Sequence, residues 1–240
     1  MGQRHQLFII AKIGSRYRSL AAVHHQSLQD VQTVETCLRI LVTLGNPANR
    51  RGIRHELANA ATKPDAFWED AEASWKSQFD SLFVPFPFIM TCLVIAASFV
   101  VEPPYNYPRI SPEPLGMPFD GGDNNDGITV IDVTQPENLR YCFVFVDGSE
   151  LGRRRNTPLS ERLYRREYER QQREDYLEVL NSFRGRFEDE DDNDNMAPYP
   201  SGQLAVFEVL GIDCLKSAWP EGGWTDYGYV QTRRPKFLRL

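Results

Sequence analysis

Three histidines and one run of acidic side chains are the groups here with the clearest chemistry to offer. His5 lies close to the N-terminus, and His24 and His25 end a second apolar run. Between them Gly14-Ser15 closes a hairpin, because a glycine first in a two-residue loop takes the positive φ that such a turn needs. A two-residue turn sets His5 opposite His24. A three-residue turn sets it opposite His25, since one residue of register sends every side chain to the other face. Cross-strand neighbours are close enough for two imidazoles to share a metal ion, with a carboxylate completing a nitrogen-and-oxygen site, or for acid-base work without a metal. The plainer reading is of strand-end histidines that hydrogen-bond to backbone or carboxylate.

The acidic run is Asp120-Gly-Gly-Asp-Asn-Asn-Asp-Gly127. Its carboxylates and amides suit calcium, but with Gly127 at the invariant glycine position of an EF-hand, Gly122 and Val133 fall where the anchoring carboxylates belong. A turn explains Asn, Asp and Gly equally well. Asp123 and Asp126 are the carboxylates that would join His5, His24 or His25 in a hydrolytic mechanism, with or without the assistance of a cation. No Gly-x-Ser-x-Gly elbow and no phosphate-cradling glycine loop occurs, and Cys142 falls inside an expected strand.

The elements that must position these groups read as α+β, with an antiparallel or mixed sheet made from two β-hairpins, covering helices and a long polar helix. Val31, Val34, Leu38, Leu41 and Val42 recur at helical spacing from Asp30 to Leu44, and Gly45-Asn46-Pro47 stops that helix. Thr62-Lys63-Pro64-Asp65 separates two further short helices, the second carrying Trp68 and Trp75 on one face. Leu82 to Val101 holds no charged residue, yet Pro85 and Pro87 shorten any regular helix to Phe88–Phe99, the length of a buried helix and too short for a membrane span. Residues 102–119 carry six prolines and are expected to run extended over the surface as a connector. The second hairpin pairs residues 128–133 with 139–146 across Gln135-Pro136-Glu137-Asn138. Thr157-Pro158 reads as an N-cap and first helical residue, opening a polar helix to Phe183 that faces water for much of its length. Residues 184–202 are expected to be a disordered acidic loop, and residues 1–183 and 203–240 one domain.

The chain has 240 residues, 41% of them hydrophobic, which is enough for a sizeable core and excludes wholesale disorder. A net charge of −6 excludes generic polyanion binding, although eight arginines lie between Arg153 and Arg173. Four well-separated cysteines fit neither a zinc site nor a disulfide scaffold, and with no secretory signal visible they indicate reduced thiols in the cytoplasm.

The strings Met-Gly-Gln-Arg-His-Gln, His24-His25-Gln26, Pro85-Phe-Pro-Phe-Ile-Met-Thr-Cys92, Asp123-Asn-Asn-Asp-Gly127 and Arg140-Tyr-Cys142 together resemble a family of uncharacterised fungal proteins with more distant bacterial relatives. The resemblance spans residues 1 to 147. Family members follow His-His-Gln with an aromatic residue and a Tyr-Gly pair, where this chain has Ser27-Leu28-Gln29-Asp30. No established activity comes with the resemblance. The leading functional expectation is a soluble protein that engages another protein, with no membrane or nucleic-acid partner. The second is a hydrolase using the hairpin histidines and the carboxylates at 123 and 126. Convergence of the two in one site separates them.

Overall fold

The computed structural model describes residues 4–26, 28, 30–78, 88–98, 110–113, 116–119, 127–144, 156–170, 202 and 204–224. Strand β1 (Arg4–Ile13) turns at Gly14-Ser15, with Gly14 at φ 63°, into β2 (Arg16–Gln26). The turn has two residues, as Ile13 pairs with Arg16, but a bulge intervenes: Ile10 pairs with Ser19 and Ile9 with Ala21. Leu20 is therefore the extra residue, and both Leu20 and Ala21 are buried in the same hydrophobic cluster. Burying both apolar side chains on one face drives the bulge, which moves the register by one.

The sheet runs β3-β2-β1-β4-β5-β6, with β7 also paired to β5. Here β3 is Ile110–Glu113, β4 Ile128–Asp132, β5 Arg140–Val144, β6 Pro158–Leu159 and β7 Glu208–Val209. Both hairpins thus join one mixed sheet, mostly antiparallel, in which β1 lies parallel to β4. Asp132 closes the second hairpin by accepting from Thr134 N at 2.8 Å and Arg140 Nε at 3.0 Å. The architecture is α+β.

Alternation along the strands fills two clusters. Leu7, Ile9, Val23, Ile131 and Phe143 face the helices α1 (Asp30–Gly45), α2 (Pro47–Ala61), α3 (Asp65–Gln78) and α4 (Phe88–Ser98). Phe8, Ile10, Val130 and Cys142 face Met117, Phe119 and α6 (Ile212–Ala218) with Trp219. Central strands β1 and β4 are consequently buried on both sides, and burial of each large side chain stabilises by about 1.5–3 kcal/mol.

Asn46 ends α1 and caps α2, accepting from Ala48 N at 2.9 Å with Pro47 in the first turn. The start of α4 is held from another helix: the buried Glu56 carboxylate accepts from Ile89 N at 2.6 Å and Met90 N at 2.9 Å. Trp68 is buried beneath the Arg18 guanidinium, while the side chain of Trp75 lies outside the described residues. No helix among the described residues is long and apolar enough to cross a membrane.

Two expectations need correction. The proline-rich connector contributes an edge strand: Ile110–Glu113 pairs with β2, where an edge tolerates Pro112. Thr157-Pro158 does not open the polar helix, because Pro158 and Leu159 pair with β5 and the helix (α5, residues 161–170) starts after Ser160, whose carbonyl accepts from Tyr164 N. Within that helix Tyr164 and Tyr168 form a buried stripe while Arg162, Arg166, Glu169 and Arg170 are exposed, as a helix facing water for much of its length requires. Its continuation toward Phe183 and nearly all of the acidic segment 184–202 lie outside the described residues.

Candidate functional site

One end of the sheet gathers the start of β1, the end of β2, the start of β3 and the start of β4. Because of the bulge, His5 sits opposite His25, correcting the His24 pairing that a plain two-residue turn implies. Both imidazoles are fully buried on the face covered by helices. His5 Nε2 is hydrogen-bonded with Thr129 Oγ1 at 2.7 Å. Neither ring nitrogen of His25 is hydrogen-bonded to a described residue. Burial, with smaller contributions from His24 and Arg39, brings His25 down to about 4, so it is a neutral imidazole at physiological pH. Arg39 is itself held at this end, donating to Ala97 O at 3.2 Å and Thr36 Oγ1 at 2.7 Å.

Gly127 joins the acidic run to this pair. Its φ is +112°, and a Cβ there would lie 3.1 Å from Val144 O, 3.5 Å from Tyr164 Cε2 and 3.7 Å from His5 Cε1. Its carbonyl accepts from Gln6 N at 3.1 Å. Only glycine meets both demands without strain. Asp123 and Asp126 precede it and lie outside the described residues.

The opposite face carries a second row. Gln6 pairs with His24, which pairs with Ser111 of β3, and one row further in Ala22 pairs with Glu113. Gln6 is fully buried and its amide donates to Met117 Sδ at 3.3 Å, whereas His24 is half-buried. Glu113 is 7% exposed, and burial raises its carboxyl to about 7. His24 and Glu113 are diagonal neighbours on one face, a separation of about 7–8 Å that long side chains can bridge.

Of the sequence candidates, the structure brings His5 and His25 together and turns His24 away to the other face. Glu113 was missed because it sits among prolines; the four residues Ile-Ser-Pro-Glu were its one signal as a strand. Among the described residues no three His, Cys, Asp or Glu side chains converge as a metal site. No protein family, curated protein or solved structure matches the chain.

Proposed function

We propose that the chain is a hydrolase-type enzyme using general acid-base chemistry at this end of the sheet. The observation that carries the reading is the placement of His24 and Glu113 in adjacent rows of one face, a half-buried imidazole diagonal to a buried carboxyl that keeps its proton to about neutral pH. In this reading His24 is the base that takes a proton from the attacking water and Glu113 the acid that gives one to the leaving group. His5 and His25 hold the strand ends in register behind them. A reducing, cytoplasmic setting belongs to the same proposal and is supported by the free cysteines Cys37, Cys92, Cys142 and Cys214.

The test is turnover of ester, phosphoester and glycoside substrates by the full-length protein, across pH, beside His24→Asn and Glu113→Gln. The expected result is a bell-shaped profile with a loss of about 100-fold in either variant. No turnover of any class, or turnover indifferent to both substitutions, would refute the reading.

Protein interaction is a second reading, supported by the outer side of α4, where Ile89, Cys92 and Ala96 are exposed on an otherwise apolar helix. Val42 of α1 is also 61% exposed. Association that rises with concentration in sedimentation, and is lost in Ile89→Lys with unchanged melting, supports this reading; a monomer at all concentrations counts against self-association through α4.

A further inference from the structure

Helix α3 is held differently from the helices around it. Of its residues 65–73 Trp68 and Ala71 alone are buried, whereas α1 buries Val34, Cys37, Ile40, Leu41 and Leu44. The rest of the grip is ionic. Arg18 of β2, 5% exposed, donates from Nη2 to Asp65 Oδ1 at 2.7 Å and from Nη1 to Glu72 Oε1 at 3.5 Å, with its guanidinium 5.0 Å from the centre of the Trp68 ring. Arg16 Nη2 donates to the same Glu72 oxygen at 2.8 Å. Both carboxylates stay in water, with side chains 86% and 46% exposed.

Closure carries a penalty. Arg18 Nε and Trp68 Nε1 are buried with no hydrogen-bond partner, so the docked helix keeps dry two donors that water would satisfy on opening. A guanidinium withdrawn from water toward carboxylates that remain in it recovers little of its desolvation. The grip is therefore near balance.

What α3 presses on is the chain beyond β3. Gly116 has φ +78°, and a Cβ there would lie 2.7 Å from Ala71 C, Ala71 O and Glu72 N, so two backbones meet with no side chain between them. Glu113 stands three residues earlier. Just after Gly116, Met117 and Phe119 are buried in one cluster with Ala22, the residue that pairs with Glu113. Met117 O in turn accepts from Trp219 Nε1 at 3.2 Å.

We propose that α3 is a lid on the His24–Glu113 site, latched by Arg16 and Arg18 through Asp65 and Glu72, whose release frees residues 116–119 and opens the way to Glu113. What the lid admits rests on the hydrolase reading, while how it moves rests on the ion pairs and the Gly116 contact. A helix of 14 residues has little stability alone in water, so α3 melts as it leaves and its amides exchange.

The test is hydrogen exchange in the full-length protein at about 50 and about 500 mM sodium chloride, followed at the Ala71 and Glu72 amides, at the Trp219 indole and, for contrast, at the Ile40 and Leu41 amides of α1. High salt is expected to speed α3 and the Trp219 indole together by about tenfold and to leave α1 unchanged. Carbodiimide-driven amidation of Glu113, read by peptide mass spectrometry at low conversion, rises with them. Glu72→Gln, which takes away the acceptor shared by both arginines, gives about a fivefold rise already at low salt. Faster exchange in α3 with the Trp219 indole or Glu113 unmoved, an equal rise in α1, or no response to salt would each overturn the lid. Coupled exchange without turnover of any substrate refutes the hydrolase and leaves the latch; turnover without coupled exchange refutes the lid alone.

Discussion

His25 and Glu113 make opposite demands on pH, and Glu113→Gln should expose the one that the other conceals. The fold holds His25 at about 4 against 6.5, so it favours the neutral imidazole. Its contribution is fully present above pH 6.5 and is lost as pH falls toward 4, because the unfolded chain then binds a proton that the folded chain refuses. At 1.36 kcal/mol per pH unit that loss is about 3.4 kcal/mol. Glu113 is held at about 7 against 4.5, so the fold favours its protonated form. Its contribution is fully present below pH 4.5 and is lost as pH rises through 7, again by about 3.4 kcal/mol. The two nearly cancel between pH 4.5 and 7, so these groups give the wild type an almost flat stability there. Glu113→Gln removes one side of the balance. The variant should match the wild type near pH 4.5, exceed it by about 3 kcal/mol at pH 7, and lose stability as pH falls between those values. Urea unfolding at half-unit pH intervals with a constant denaturant slope measures it. A variant no more stable than wild type at pH 7, or one with a flat profile, would refute the opposed titrations.

Glu56→Gln halves the carboxylate cap on α4 and places an amide donor among backbone donors, so unfolding should show a loss of about 2–3 kcal/mol, with faster amide exchange at Ile89 and Met90. Gly116→Ala puts a Cβ 2.7 Å from Ala71 C, Ala71 O and Glu72 N at φ +78°, and thermal unfolding should register a loss of about 1–3 kcal/mol, whereas Gly14→Ala meets no atom within 4 Å and suffers only from its φ. Glu161 accepts from Gly202 N at 2.9 Å and Leu204 N at 2.8 Å, returning the chain from the acidic segment to the first turn of α5. If that segment masks the arginines, deleting residues 188–194 should tighten heparin binding and steepen its salt dependence; unchanged binding leaves the segment a plain linker.

What could be read in advance was whatever depended on neighbours along the chain. The Gly14 turn, the three-and-four spacing of α1 and the break at residues 62–65 are local, and all stand in the structure. The strand at Ile110–Glu113 gains its hydrogen bonds from β2, far away in sequence, while its prolines argue against it locally. Similarly, Thr157-Pro158 carries a helix-start signal that pairing with β5 overrides, and nothing near Glu56 or Glu113 in sequence marks one as a cap for another helix or the other as a buried acid. The candidate site shows the same division: the histidines were visible as residues, but their partners hung on Leu20. Two apolar neighbours, Leu20 and Ala21, can both enter the core only if the strand bulges, and that preference exists only once α1 and α4 cover the sheet. The bulge therefore decides which histidine is buried with His5 and which is left half-buried on the opposite face. Backbone NOEs between residues 5 and 25 and between 9 and 21, with Leu20 unpaired, are the expected signature. A 5-to-24 pattern would place His24 beside His5 on the helix-covered face and remove the half-buried imidazole on which the proposed site depends.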